Sequence, residues 1–212
     1  MDLLKKLTEF DAPSGKETVL HSFIKGEAEK LGYEVTIDAL GSVIAHKKGN
    51  GKKLMLAAHT DEIGVIVNYI DENGFIYFGR LGWLEQKELH KRRVRFENGT
   101  IGVIGVNEER YENKPDMTSM FIDIGATNRE EAEKLVKVGD TAVFEGEFTV
   151  SGDTIVSRAL DDRVGCYVLL KAMAEVKDSK NDLYFVFTAQ EETGMRGAKS
   201  SAFTVMPGYG IA

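Results

Sequence analysis

The sequence predicts an α/β fold that is interrupted by a small all-β domain. Both ends of the 212-residue chain carry apolar residues at helical spacing together with short β-type runs. The middle instead shows short apolar runs separated by hairpin-type turns such as DENG and ENGT. Neither end has enough elements to close a core alone, so we expect the two ends to fold together.

The first sixty residues predict two helices and three strands. Apolar side chains recur at helical spacing between Leu3 and Phe10, and again from Val19 to Leu31, where Gly32 ends the pattern. The period then changes, and three short β-type runs follow: YEVTID, SVIAHK and KLMLAA.

From Gly64 to about Gly152 the pattern is typical of a small β-barrel or sandwich, with the runs VIVNYI, FIYFGR, RVRF, IGVIGV, TAVF and FTV. One helix interrupts it at TNREEAEKL, where Thr127 and Glu130 have the spacing of a capping box.

After Ser157 a helix, DDRVGCYVLLKAMAEV, precedes a buried strand, DLYFVFTA. We therefore expect residues 1–63 and 153–212 to form one discontinuous α/β domain, with residues 64–152 as the inserted domain. Three consecutive pieces of a single fold are the alternative.

Composition excludes several classes of protein. Apolar residues make up 42% of the chain and charged residues 29%, which is ordinary for a globular protein. The net charge of −7 gives no reason to expect a nucleic-acid partner. No apolar run approaches the ~20 residues of a membrane span. The N-terminus resembles a helix more than a signal peptide, and the single cysteine, Cys166, indicates a buried apolar residue, so we expect a cytoplasmic location.

Three polar clusters stand at the ends of apolar segments: AAHTDEIG, ALDDRVG and TAQEETG. Ligands bind beyond the carboxyl ends of strands in α/β sheets, and two of the clusters follow predicted strands. His59 and Asp61 lie two residues apart, so on an extended chain they point the same way and can share a site. An ordinary hydrogen bond at a strand end is the simpler interpretation of this pair.

The two acidic pairs raise a charge problem. One of Asp161 and Asp162 is expected to cap the following helix, whereas the other needs a cation or solvent to offset the repulsion. If Glu191 and Glu192 continue the strand, their side chains point to opposite sides, which implies two roles: one binds a metal and the other transfers a proton. An exposed turn is the alternative. Taken together, the nitrogen and oxygen donors suit Zn, Co or Mn.

These motifs, with APSG near the N-terminus and FIDIGA in the middle, resemble the glutamyl and tetrahedral aminopeptidases, a family of dinuclear metallopeptidases in which some members are labelled endoglucanases. The resemblance implies a phosphorylase/hydrolase-like α/β catalytic domain with an inserted β-barrel used in homo-oligomer assembly, from dimers up to a dodecamer. It also implies peptide substrates and two divalent ions, Zn or Co and possibly Mn.

Carried over to this chain, the resemblance makes His59 a ligand of one metal, Asp161 the bridge between both and Glu192 a ligand of the second. Glu191 becomes the general base, and Asp61 supports His59.

The family completes its site with an Asp and a His that would follow position 212, so we expect a truncated, incomplete catalytic domain that is inactive alone. Specificity for the N-terminal residue stays open. An endoglucanase-type glycoside hydrolase, which needs a carboxylate pair and no bridging Asp, and a non-catalytic assembly role are the alternatives.

Overall fold

The computed structural model describes residues 1–108 and 116–212. The chain divides into two compact units, Met1–Glu62 with Phe148–Ala212, and Ile63–Glu147. The first therefore consists of two separate stretches of chain, and the second is one continuous stretch. The sequence predicts limits at 63/64 and 152/153, so the second limit of the compact units falls earlier along the chain.

The first unit holds a five-stranded sheet and four helices. Its helices are α1 (Asp2–Glu9), α2 (Thr18–Lys30), α4 (Leu160–Glu175) and α5 (Arg196–Val205). Its strands are β1 (Glu34–Ile37), β2 (Val43–Lys47), β3 (Lys53–His59), β12 (Asp182–Thr188) and β13 (Tyr209–Ile211), and a separate hairpin pairs β10 (Thr149–Ser151) with β11 (Thr154–Val156). The large sheet has the order β1-β2-β12-β3-β13.

In the large sheet β3 is parallel to both β12 and β13, whereas β2 is antiparallel to β1 and β12. Successive residues of β12 pack into different cores. Phe185 and Phe187 pack with residues of α1, α2 and α4, whereas Val186 packs with Val205 of α5. Helices therefore cover both faces of the sheet, as expected for parallel strands that are buried on both sides. Cys166 lies fully buried in the larger core, as predicted.

The second unit is a closed six-stranded barrel with the strand order β4-β5-β8-β7-β6-β9. Its strands are β4 (Gly64–Ile70), β5 (Ile76–Leu81), β6 (Arg93–Phe96), β7 (Ile101–Val106), β8 (Met120–Asp123) and β9 (Thr141–Phe144). A barrel is one of the two predicted forms. Strand β8 was not among the predicted strands, and the run FTV, part of which forms β10, was expected in the inserted domain.

An α-helix of the barrel unit, α3 (Arg129–Leu135), corrects one prediction. Its cap is Asn128, whose side chain accepts the N–H of Glu131 at 3.0 Å. Glu131 in turn accepts hydrogen bonds from the backbone and hydroxyl of Thr127 at 2.9 and 2.8 Å. The capping box is therefore Asn128–Glu131, one residue later than the Thr127–Glu130 pair, because Asn128 satisfies the helix N–H group and has the extended backbone that a cap requires. No helix in the described part of the chain is long and apolar enough to cross a bilayer.

Candidate metal centre

The candidate site lies where two neighbouring parallel strands end. Strand β3 ends at His59 and β12 ends at Thr188, and these two residues are partners in the strand register. The alignment continues by one residue, because the N–H of Thr60 donates to the carbonyl of Thr188 at 2.9 Å. The two sequence motifs that follow these strands are therefore brought to the same edge of the sheet.

His59, Glu191 and Glu192 form a group that could hold a metal ion. Each offers one ligand atom, and the three atoms lie within 4.8 Å of one another. The Asp161 carboxylate lies beside this group, with Oδ1 3.0 Å from His59 Nε2 and a side chain that is 87% exposed. Glu191 Oε2 is 3.9 Å from the same nitrogen. The structure thus brings Asp161 and both glutamates to the same imidazole nitrogen or close to it.

One expectation about the glutamates is wrong. Strand β12 ends at Thr188, and Gln190 has a left-handed backbone with φ of 53°. Glu191 and Glu192 therefore leave the strand, and the alternation that would point their side chains to opposite sides does not apply. Instead, both contribute a carboxylate oxygen to the same group as His59. Any difference between the roles of Glu191 and Glu192 therefore depends on where each carboxylate lies within the same site.

Asp61 is the buried hub of the site. Its side chain is fully buried, and Oδ1 accepts the N–H of Glu191 at 2.8 Å. Oδ2 accepts the N–H of Glu192 at 3.1 Å and the hydroxyl of Ser14 at 2.6 Å. Burial alone would raise the pKa of Asp61, but the His59 imidazole 3.5 Å away and the hydrogen bonds from Ser14 and the two glutamate amides lower it. Asp61 is thus an anion that holds the backbone of both glutamates.

The hydrogen bonds of His59 define which of its nitrogens faces the carboxylates. Nδ1 lies 3.1 Å from the carbonyl oxygen of Asp61, and a carbonyl can only accept, so Nδ1 carries the proton. Nε2 is then the atom available to a metal in the neutral ring, with the backbone of Asp61 fixing its orientation. Asp61 thus orients His59 through the Asp61 backbone carbonyl, which accepts the hydrogen bond from Nδ1. The Asp61 carboxylate lies 3.5 Å from the same nitrogen.

The electrostatics of the group favour a cation. Burial would lower the pKa of His59, but the Asp61 carboxylate, the hydrogen bond to Asp161 and the charge of Asp162 outweigh it and raise the pKa to about 9. Burial raises the pKa of Glu192; the charge of His59 opposes this, and the charges of Asp161, Asp61 and Glu191 add to it. Neighbouring carboxylates raise each other's pKa values when too little positive charge lies close to them. A divalent ion bound in this group would supply that charge. The donor set of one imidazole and several carboxylates therefore fits Zn²⁺ and related ions.

Asp162 has a different task from its neighbour. Asp161 and Asp162 have non-helical backbone angles, so the regular part of α4 begins after Asp162. Asp162 Oδ1 accepts the N–H of Gly165 at 3.0 Å, three residues on, which is the geometry of a helix cap. Its Oδ2 accepts the N–H of His59 at 3.1 Å. A Cβ at Gly165 would lie 2.4 Å from Asp162 Oδ1, so the glycine leaves room for the capping carboxylate. The prediction that one of the two aspartates caps the helix is confirmed.

Sequence reasoning missed a buried ion network beside the site. Arg163 is fully buried and donates to the carbonyl of Thr60 at 2.9 Å and to Glu62 Oε1 at 3.2 Å. Arg158 donates to the same Glu62 oxygen at 2.8 Å and forms an ion pair with Asp11 at 2.6 Å. The signal was present in the sequence, because an arginine directly after two aspartates and a glutamate directly after Asp61 are charges within apolar surroundings.

The remaining histidines lie elsewhere. His21 is buried, with Nε2 2.6 Å from the Thr60 hydroxyl, and burial lowers its pKa to about 4. His46 pairs with Asp182 at 2.7 Å and stacks on Tyr184. His90 is exposed on the barrel unit. None of the three belongs to the group formed by His59, Glu191 and Glu192.

The α/β unit has helices on both faces of its sheet and a candidate metal centre at its strand ends, and the same chain contains a closed β-barrel. Together these features define a hydrolase-like class of protein. Residues 41–212 match the model of the M42 glutamyl aminopeptidase family, and the chain belongs to this family.

A putative aminopeptidase of Acetivibrio thermocellus is 47% identical over 212 residues, which cover 100% of this chain and 64% of that protein. Among solved structures, an aminopeptidase of the archaeon Desulfurococcus kamchatkensis matches with 37% identity and a TM-score of 0.91, over 99% of this chain and 61% of that one. The Pyrococcus horikoshii TET1 peptidase, described as able to assemble into a tetrahedron or a large octahedral shell, matches with 34% identity and a TM-score of 0.88, over 99% and 66%. The chain thus spans a little under two thirds of the length of these relatives.

Proposed function

We propose that this protein is a metal-dependent aminopeptidase that hydrolyses N-terminal residues from peptides. The observation that carries the proposal is the group formed by His59, Glu191 and Glu192, whose ligand atoms lie within 4.8 Å at the edge of the sheet. Membership of the M42 family supports a peptidase over the other metal-assisted hydrolases that such a group would suit. The same group argues against an endoglucanase, which has no need of an imidazole among its carboxylates.

We assign His59 to one metal, Glu192 to a second, and Asp161 to the bridge between them, with Zn or Co, and possibly Mn, as the ions. Asp161 suits a bridge because its side chain is exposed and borders His59 Nε2 at 3.0 Å. When bound, the ions would polarise the peptide carbonyl and lower the pKa of a water molecule.

Glu191 is assigned to proton transfer. Its carboxylate is about one-third exposed and lies 3.9 Å from His59 Nε2, at the border between the group and solvent. From there it would take a proton from the attacking water and return it to the nitrogen of the departing peptide, as general base and then general acid. Asp61 keeps this carboxylate in place through the backbone N–H of Glu191.

Assembly and location belong to the same proposal. The TET1 peptidase is described as able to assemble into a tetrahedron or a large octahedral shell, which supports a homo-oligomer for this protein. In this proposal the dimer is the building block and the barrel unit is the domain used in assembly. A single, buried cysteine supports a cytoplasmic location, because a reducing compartment does not select for disulfides.

The test begins with metal binding, which does not require turnover. Zn²⁺ and Co²⁺ are titrated by calorimetry into the metal-free chain, and we expect binding that is lost in a His59→Ala variant; the control is His90→Ala, which changes an exposed histidine on the other unit. Release of N-terminal amino acids is then measured on the whole product of the gene. Peptide hydrolysis that survives chelation would overturn the metal assignment, and cellulose hydrolysis without peptidase activity would favour the endoglucanase alternative.

A further inference from the structure

The segment between α1 and α2 lies against both motifs of the site. The N–H of Ala12 donates to Glu62 Oε1 at 3.0 Å, and the N–H of Glu62 donates back to the carbonyl of Ala12 at 3.0 Å. Pro13 and Glu62 form a parallel β-bridge. The segment is thereby fixed beside the end of β3, one residue from Asp61.

Ser14 is buried, with 7% of its surface exposed, and its hydroxyl donates to Asp61 Oδ2 at 2.6 Å. This carboxylate also accepts the N–H groups of Glu191 and Glu192, one on each oxygen. Three donors at defined positions determine the rotation of the carboxylate, and the hydroxyl is the only one of the three that lies outside the glutamate loop. Ser14 therefore sets the orientation in which Asp61 receives the glutamates.

Glu17 acts on the residue before the pair. It is 4% exposed, and its Oε1 accepts the N–H of Gly15 at 2.9 Å and that of Gln190 at 3.0 Å. Gln190 has the left-handed backbone that turns the chain out of β12. This conformation is unfavourable for a residue with a side chain, so it persists only where surrounding contacts determine it. The bond from Gln190 to Glu17 is such a contact.

We propose that Ser14–Glu17 form an N-terminal clamp that positions the Glu191–Glu192 pair, with Ser14 and Glu17 as its positioning residues. Neither side chain belongs to the metal-binding group. Ser14 acts through the hydrogen bond that it donates to the Asp61 carboxylate, and Glu17 acts through the hydrogen bond that it accepts from the backbone N–H of Gln190. What the pair does chemically rests on the proposed function. The clamp itself rests on hydrogen bonds within the chain, so it can be tested without metal and without substrate.

The first test is hydrogen exchange of the metal-free chain, followed by mass spectrometry of peptides that cover residues 189–195. Ser14→Ala removes the hydrogen bond to Asp61, and Glu17→Ala removes the bond from Gln190 together with the one from Gly15. In each variant we expect the exchange rate in the 189–195 segment to rise ~10-fold, the effect of losing one hydrogen bond to a charged group. The controls are Ser22→Ala and Glu29→Ala, which change exposed residues of α2 and should leave the segment as in the wild type. Glu17→Gln keeps an acceptor oxygen and should restore most of the protection.

The second test uses the visible absorption spectrum of the Co²⁺-loaded chain, which reports the arrangement of ligands around the ion. We expect the Co²⁺ bands to shift in Ser14→Ala and Glu17→Ala and to stay unchanged in both controls. Wild-type exchange at 189–195 in both clamp variants, or a rise that is uniform along the chain, would overturn the clamp. Loss of protection at 189–195 in a chain that binds no Co²⁺ would uphold the clamp and refute the metal assignment instead.

Discussion

The site contains two pairs of adjacent acidic residues, Asp161–Asp162 and Glu191–Glu192. The repulsion between neighbouring carboxylates is offset in a different way in each pair. In the aspartate pair one carboxylate accepts backbone N–H groups from His59 and Gly165, and the other is left exposed beside the imidazole. In the glutamate pair both carboxylates approach the imidazole, and it is their backbone N–H groups that are held, by Asp61. Adjacent acids can therefore differ in role through their side chains alone, or can share a site while a third acid fixes their backbone.

The largest expected effect separates the two glutamates. Glu191→Gln keeps the shape of the side chain but removes the proposed general base, so we expect the gene's whole product to bind metal as the wild type does while turnover falls ~10²–10⁴-fold. Glu192→Gln serves as the matched variant and should weaken metal binding. Metal content and rate are measured on the same samples. Loss of metal from the Glu191 variant alone would mean that the two assignments are exchanged.

The next effect separates the two aspartates. Asp162→Ala removes a helix cap and leaves the N–H of His59 without its acceptor, so we expect the free energy of unfolding to fall by about 2–3 kcal/mol. Asp161→Ala changes an exposed side chain and should alter it by less than ~0.5 kcal/mol, while weakening metal binding. Urea unfolding of the metal-free chain provides the measurement. Equal losses in the two variants would contradict the division of roles.

A buried histidine beside the site sharpens the comparison, because burial outweighs the charges of Asp61 and Asp38, which would raise its pKa. Burial lowers the pKa of His21 to about 4, against about 6.5 in the unfolded chain. The unfolded state therefore binds more protons between these values, and stability present above pH 6.5 is lost as the pH falls toward 4. Between pH 7 and 5 we expect this to cost about 2 kcal/mol. Urea midpoints for the wild type and His21→Gln should show a smaller loss in the variant; identical losses would assign the pH dependence to other groups.

The smallest effect concerns a third acidic pair, Glu130–Glu131, on the barrel unit. Glu131 accepts hydrogen bonds from Thr127 and is exposed, so here adjacent acids serve only to begin a helix. Asn128→Ala removes the cap of the same helix and should reduce the stability of the barrel unit by about 1 kcal/mol. Glu130→Ala is the control and should leave the unfolding midpoint unchanged. Thermal unfolding followed by circular dichroism would detect the difference.

Much of the fold was predictable because its signals are local. The change from helical spacing to alternating runs marked most strands, and the turns DENG and ENGT marked two hairpins of the barrel. Strand β8 was missed because no short hairpin turn joins it to its register partners, which lie in β5 and β7. The capping residue of α3 was displaced by one because two candidates, Thr127 and Asn128, stand side by side.

The site was predictable in its members and not in its geometry. His59, Asp161 and the two glutamates stand beside predicted strands or helices, so the sequence alone could group them. The direction of the glutamate side chains depends on the left-handed turn at Gln190, a residue type that gives no warning of positive φ. The contribution of Ser14, Glu17 and Arg163 depends on bonds to residues far along the chain, which no periodicity reports.

The close approach of Gly197 to the end of β12 has a consequence for how this site can change. The N–H of Gly197 donates to the carbonyl of Ala189 at 3.0 Å, and a Cβ at Gly197 would lie only 2.2 Å from that oxygen. Residues 190–196 are thus closed into a short ring, because the residues on either side of it, Ala189 and Gly197, are hydrogen-bonded. Such a ring has almost no spare length, so a substitution within it leaves the closure in place, whereas an insertion or deletion would have to break the closure first.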